Sequence, residues 1–458
     1  MAPENLKKDM SFKMQADARL IWEAGLGAVD PERLATGAVS VVAGKLIIGA
    51  HSFELDAIER IAVVGAGKAG RAMAEAIESI LGPELIAEKN LSGIVNVLDK
   101  DAGKLSRIVL NGSRPTASAF PTPEGQAGTE SMLDIVKSLH DNDLAICLLS
   151  GGGSAMMPAP VTGVSIDAKR KVTKLLSEAG ATISQLNTVR KHLSRVKGGR
   201  LAEQCSAGAL VSLIISDVVG DRLDTIASGP TAVDKTSFAD ALRIVENPAI
   251  FDRVPKEVLN HITKGANGAI QETPKSLPPS IINLVLGNNV VALAAAEEQA
   301  SRLGYNVLNL GSRIEGEARE VAVVLAAIAL SIKHESKPLR PPVCILAGGE
   351  TTVSGVAPGG KGGRNQELVL AALEHLSGWG MDGILIWSAG TDGEDGPTDA
   401  AGAFADESIM NAAHRQGLIP QHYLAESRSY DFFGKAAGHI KIGPTGTNVM
   451  DICIILVS

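Results

Sequence analysis

Residues 145–155 read AICLLSGGGSA, an apolar run from Ala145 to Leu149 that empties into Ser150, Gly151, Gly152, Gly153 and Ser154. An uninterrupted apolar run bounded by a glycine turn predicts a strand covered on both faces, as in the parallel sheet of an α/β protein. Consecutive glycines at its end let backbone approach a ligand more closely than any Cβ allows. A helix starting just after such a loop would aim free N–H groups and the positive end of its dipole at an anion, and the Ser154 hydroxyl would add a donor. Gly151, Gly152, Gly153 and Ser154 are therefore the first candidates for holding a phosphate.

The arrangement recurs. Ile61 to Val64 leads into Gly65-Ala66-Gly67-Lys68-Ala69-Gly70, then into a helical pattern with Ala72, Met73, Ala76, Ile77 and Ile80 on one face. This matches the G-x-G-x-x-G of dinucleotide-binding turns, whose ribose-binding acid follows about twenty positions later. Here the next strand delivers Asp99 well beyond that distance. Gly67 suits close approach to a phosphate, and Lys68 suits a site that neutralises a transferring phosphoryl group. A third strand, ending at Leu346, meets Gly348-Gly349-Glu350, then a loop through Gly359, Gly360, Gly362 and Gly363 to Arg364, where a helix carrying Leu368, Leu370, Ala371 and Leu373 begins. The helix dipole disfavours an arginine there, so Arg364 is expected to face an anion. Asp392, Glu394, Asp395 and Asp399 follow on a glycine-rich loop, as ligands for a hard cation or as ordinary Asx turns.

Charge marks one more region. Arg190, Lys191, Arg195, Lys197 and Arg200 crowd a helix-like segment, for which a solvated face is the ordinary reading. Asp217 and Asp221 follow the apolar run Leu210 to Ile215. Ligands of open α/β sheets gather outside the carboxyl ends of strands, so Asp217 is a candidate base for a substrate hydroxyl or a candidate magnesium ligand.

Strand patterns near 61–64, 93–98, 107–110, 144–149, 209–216, 281–286, 305–310, 342–346, 384–389 and 452–457 alternate with helical ones. That alternation predicts doubly wound, mostly parallel α/β sheets. A chain of 458 residues calls for two domains, and the Pro- and Gly-rich stretch 265–280 is the natural linker between 1–264, Rossmann-like, and 281–458. A helix over 12–28, stopped by Asp30-Pro31, opens the chain. Net charge is −8 and no basic stripe is interleaved with aromatics, which argues against nucleic-acid binding. Cys147, Cys205, Cys344 and Cys453 are widely spaced, predicting free thiols and a reducing compartment. No histidine pairs at zinc-ligand spacing, and no apolar run approaches a membrane span. Acidic residues among the first lysines point to a cytoplasmic protein, with a mitochondrial form as the alternative.

GAGKAGRAMA, LLSGGGSAMMPAP, QLNTVRKHLSRVKGGRLA, LIISDVVGDRLDTIASGPT, LAGGETTV, GGRNQELVLAA, SAGTDGEDGPTDAAGA and GPTGTNVMD occur in this order from Ile61 to the C-terminus. Together they resemble the class II glycerate kinases, whose C-terminal part is the MOFRL domain. Many bacterial members carry Gly-His-Pro before the glycine-serine loop. The corresponding stretch here is Ser118-Ala119-Phe120-Pro121-Thr122-Pro123, so no role for that histidine carries over. The resemblance implies ATP-dependent phosphorylation of D-glycerate to 2-phosphoglycerate with a divalent cation, Mg2+, by a monomer or homodimer. On that reading the site lies in an interdomain cleft. Gly67 and the Gly151–Ser154 loop hold nucleotide phosphates, and Arg190 and Lys197 hold substrate. Lys68 and Arg364 neutralise the transferring group, while Asp217 and Asp392 serve as base or metal ligands. An NAD(P)H-dependent hydroxypyruvate reductase and a non-catalytic sugar-phosphate-binding protein are the alternatives.

Overall fold

Two apolar strands hold the centre of the first sheet because nothing polar interrupts them: every residue of Ile61–Ala66 and of Leu144–Leu149 is buried. The computed structural model describes residues 4–115 and 120–458, so Ser118 and Ala119 lie outside the described residues. Its internal contacts divide the chain into one unit of Pro31–Leu286 and another formed by the residues up to Asp30 together with Gly287–Ser458.

The Pro31–Leu286 unit opens with a small antiparallel sheet, β1 (Val39–Val42), β2 (Lys45–Ile48) and β3 (His51–Glu54). Its main sheet contains β4 (Ile61–Ala66), β5 (Ser92–Leu98), β6 (Gly103–Lys104), β7 (Ile108–Arg114), β8 (Leu144–Leu149), β9 (Ala209–Ile215) and β10 (Ile281–Gly287), ordered β10-β9-β8-β4-β5-β7-β6. From β9 through β7 every pairing is parallel, and β6 closes the edge antiparallel to β7. Helices Gly70–Glu88 and Pro123–Lys137 pack on its strands. Later strands run outward from β4 on one side and from β8 on the other, so the winding reverses between these two. Such a reversal opens a crevice at the carboxyl ends of the flanking strands. Ala66, Leu149 and Ile214 lie side by side, so the turns carrying Lys68, Ser154 and Asp217 leave the sheet along one edge.

The expected linker at 265–280 does not separate the units. Thr273 is buried and donates to Asp234 Oδ2 (3.0 Å), the Pro274 carbonyl accepts from Asp234 N (3.0 Å), and the Ser280 carbonyl accepts from Leu210 N (3.0 Å). Prolines there shape a fastened connection into β10, which joins the first sheet instead of opening the second. The expected boundaries 1–264 and 281–458 also move at the chain start. Helix Glu4–Ala28, longer than its expected 12–28, packs on Asn289–Arg302, with Tyr305 donating to Asp17 (2.8 Å) and Gln15 to Asp406 (2.7 Å).

In that second unit β11 (Asn306–Asn309), β12 (Ile314–Glu317), β13 (Val343–Thr352), β14 (Ile384–Gly390), β15 (Gly402–Ala405), β16 (His439–Ile440) and β17 (Asp451–Val457) form a mixed sheet ordered β11-β13-β17-β14-β15-β16, with β12 beside β13. β11 and β12 run parallel to β13, while the remaining pairings are antiparallel, with the last strand, β17, inserted between β13 and β14. Helix Arg364–Ser377 contributes Leu368 through Leu373 to the core on this sheet. The protein is thus α/β in both units, mostly parallel in one and mixed in the other. All four cysteines are free thiols. No helix among the described residues is long and apolar enough to cross a membrane.

Candidate active site

The turns after β4 and β8 are built against each other. Lys68 N donates to Gly151 O (2.9 Å), Ser150 N to Ala66 O (3.3 Å), and Ala69 N to Ser150 Oγ (3.0 Å). A Cβ at Gly65 would stand 2.1 Å from Leu148 O, at Gly67 2.1 Å from Ser150 Oγ, and at Gly153 2.8 Å from Ala66 O. These glycines exist so that two loops can touch, and the apparent dinucleotide fingerprint serves that contact. Gly152 differs: its φ is +80°, and the nearest atoms a Cβ there would meet are the ends of Met156 (3.1 Å) and Arg114 (3.2 Å) and, at 3.8 Å, the Lys68 stem. The glycine loop thus brings Lys68 beside Gly152.

A full helix after the loop does not form. Gly153–Met156 is a single turn, stopped because Pro158 disfavours helical geometry at Met157. No helix dipole serves the loop, and buried cations stand there instead. Lys197, 1% exposed, donates to Ser154 O (2.7 Å), Ser154 Oγ (3.1 Å) and Ala227 O (3.4 Å). Ser154 Oγ also lies 2.7 Å from Ser228 Oγ, which donates to Asn187 Oδ1 (3.1 Å). Ala227 and Ser228 both hold positive φ, +50° and +64°, a strained pair of a kind that concentrates at functional sites. Burial, then Arg190 and Lys169, hold Lys197 well below the ordinary lysine range, and burial lowers Arg190. Arg190 and Lys197, the two residues expected on the substrate side, line one cavity with Ser154. Their neighbours are otherwise engaged: Lys191 pairs with Asp234 and Asp224, and Arg195 with Glu130. Lys169, from helix Ile166–Glu178, lines the same cavity, although nothing in its local sequence marks it as a site residue.

Asp217 lies two residues beyond β9, half-buried, on the edge that carries the two loops. Arg364, in the other unit, begins its helix as expected, but the anions it faces are the protein's own. Its Nε and Nη2 grip Asp451 (2.6 and 3.0 Å) and Nη1 reaches Glu350 (2.7 Å). These carboxylates raise its pKa against the opposing cost of burial. Arg364 lines a cavity of about 540 Å³ with Glu315, Glu350, Thr351 and Glu367.

The acidic loop does not converge on a cation. Asp392 Oδ1 accepts from Glu394 N (3.1 Å), closing an Asx turn; Asp395 caps helix Arg364–Ser377 through Asn365 N and Gln366 N; Asp399 takes Tyr430 and Lys441. Among the described residues no three His, Cys, Asp or Glu side chains gather as a metal site. Asp217 and Asp392, expected to share metal duty, belong to different units.

Known proteins give this arrangement its relatives. Residues 17–263 match the family described as a domain of unknown function, DUF4147, and residues 343–451 match the MOFRL family. The chain is 38% identical to the glycerate 2-kinase of Pyrococcus horikoshii over 96% of both chains, and 38% identical to the D-glycerate 2-kinase of Thermotoga maritima over 87% of this chain and 91% of that one. A protein of Agrobacterium vitis provisionally named hydroxypyruvate reductase is 40% identical over 87% of each. The crystal structure of Thermotoga maritima glycerate kinase superposes with a TM-score of 0.81 at 35% identity, covering 100% of both chains. With its two signature domains and near full-length identity of this order, the chain belongs to the glycerate 2-kinase family.

Proposed function

We propose that this glycerate kinase transfers the γ-phosphoryl group of ATP to the 2-hydroxyl of D-glycerate, releasing ADP and 2-phosphoglycerate, as the names of its Pyrococcus and Thermotoga relatives suggest for those proteins. The observation that carries the reading is the crevice where the winding reverses, with Lys68 and the Gly151–Ser154 loop hydrogen-bonded at its rim. Phosphoryl transfer asks mainly for positioning and for charge opposite the equatorial oxygens. Backbone at Gly152 faces a phosphate past the movable ends of Met156 and Arg114, Lys68 supplies charge, and Asp217 on the same edge serves either as base toward the acceptor hydroxyl or as ligand to the metal. Arg364 is the second charge proposed for the transferring group, its fork held and its charge moderated by Asp451 and Glu350. Arg190 and Lys197 belong to the substrate side.

Magnesium fits this donor set, because in phosphoryl transfer it keeps several waters and needs only one or two carboxylates beside the nucleotide phosphates. In its ligand role Asp217 would hold it, with Asp392 as the second candidate, and the ion would supply charge neutralisation at the nucleotide phosphates. Chelation with EDTA is expected to abolish turnover, and added magnesium to restore it; full activity in excess chelator would refute the assignment.

The Agrobacterium relative's name favours a reductase as the second reading. Gly65 and Gly67 speak against it, since the end of β8 and its turn fill the side where a Cβ would stand. A coupled assay with D-glycerate, ATP and magnesium, run beside hydroxypyruvate with NADH, decides between them: ADP release dependent on glycerate supports the kinase, NADH oxidation alone supports the reductase, and neither leaves a binding protein.

A further inference from the structure

The cavity beside Ser154, about 330 Å³, has an unbalanced charge. Its lining includes Lys169, Arg170, Lys174, Arg190 and Lys197 against a single acid, Glu178. Lys169 and Lys197 are 5% and 1% exposed. Among the described residues both donate only to uncharged acceptors: Lys197 to Ser154 and the Ala227 carbonyl, Lys169 to the Leu193 carbonyl at 3.3 Å. Arg190 reaches no more than the Asn187 amide oxygen, at 3.5 Å. Among the described residues no carboxylate pairs with any of the three, whereas Lys191, next in the chain, has two. Buried cations persist without a counter-ion only at high cost, and a protein of net charge −8 does not lack carboxylates to supply one. The counter-ion left out is one the ligand brings.

We propose that Lys169, Arg190 and Lys197 form the subsite for the carboxylate of the three-carbon acceptor acid, with Ser154 between that subsite and the glycine loop. The inference rests on the kinase reading and adds the feature by which the acceptor is chosen: an acid is taken and the matching polyol is not. A compact carboxylate fits better than a triphosphate, because two of the cations are sunk in the wall and the rest of the lining, Phe120, Pro121, Pro158 and Leu186, suits a short carbon chain.

Occupancy has a protonic signature. Lys169 is pushed down to about 7 by burial, Arg190 and Arg200. Arg170, Lys174 and Glu178 of its own helix and Lys197 opposite complete the charges around the cavity. An arriving carboxylate favours the ammonium form, so binding above neutral pH takes up a proton.

Calorimetric titration of the full-length wild-type protein with D-glycerate, without nucleotide, at about pH 8 in two buffers of different ionisation enthalpy reads that uptake directly. We expect proton uptake with glycerate, none with glycerol, and a Kd for glycerate raised about 10- to 100-fold in Lys169→Met with the Kd for ATP nearly unchanged. A loss in Lys169→Met that falls on ATP, tighter binding of inorganic phosphate than of glycerate, or glycerate binding without proton uptake would overturn the proposal. Should Lys169→Met not fold, the wild-type uptake still decides. Because the titration needs no turnover, a protein that binds glycerate in this way but phosphorylates nothing refutes the kinase reading alone.

Discussion

Lys169 illustrates what a single buried residue can cost and return. In the folded chain it titrates at about 7, against 10.5 for an ordinary lysine. Between these values the unfolded chain holds the extra proton, so this group makes the empty protein more stable as pH rises through the window and less stable as pH falls. Lys169→Met removes the unpaired charge while keeping much of the stem, and is expected to raise the melting temperature at neutral pH by a few degrees even as glycerate binding weakens. A lower melting temperature would mean that the bond to Leu193 O holds the fold. The glycines divide in the same manner. Gly67→Ala places a Cβ 2.1 Å from Ser150 Oγ and should cost stability, seen as a lower melting temperature; Gly152→Ala, at φ +80° but facing side-chain ends, should fold and raise KM for ATP.

Helix Arg364–Ser377 shows which parts of an element can be read locally. Its apolar face and glycine-rich approach are visible in the sequence because burial and close approach constrain residue types in place. Its cap and its clamp are not, because Asp395 comes from the loop after β14 and Asp451 from β17, 87 positions beyond Arg364. The same holds for the strands. β4, β8 and β17 stand out as unbroken apolar runs, whereas β10 changes sheets without any local sign, since a strand's partner is not written in its own residues. One local signal was there to be used: Pro158 in SGGGSAMMPAP stops the helix after one turn. Asp395 is fully enclosed, with burial raising it to about 6 against the N–H groups it accepts. Asp395→Ala strips the cap from Asn365 N and Gln366 N and should cost about 2 kcal/mol, measured as a shift in the denaturant midpoint at unchanged slope.

At the scale of the whole chain, the proposed mechanism assigns one residue of each unit, Lys68 and Arg364, to one reaction. If Lys68 and Arg364 stabilise the same phosphoryl group, Lys68→Met and Arg364→Ala should each lower kcat by roughly 10²–10⁴, and the double variant should lose clearly less than the product. Additive losses across the four enzymes would assign the residues to separate steps. The path of the chain adds a demand of its own. Helix Glu4–Ala28 is synthesised before the whole Pro31–Leu286 unit, but the helix Asn289–Arg302 and strand β17 against which it packs are synthesised after that unit. Until then Ala18, Ile21 and Trp22, all buried in the finished protein, have nothing to cover them. The nascent chain must therefore carry an uncovered apolar helix while the intervening unit is made, which makes that helix a natural handle for a chaperone and makes the arrival of β17, rather than folding of the first sheet, the event that covers it.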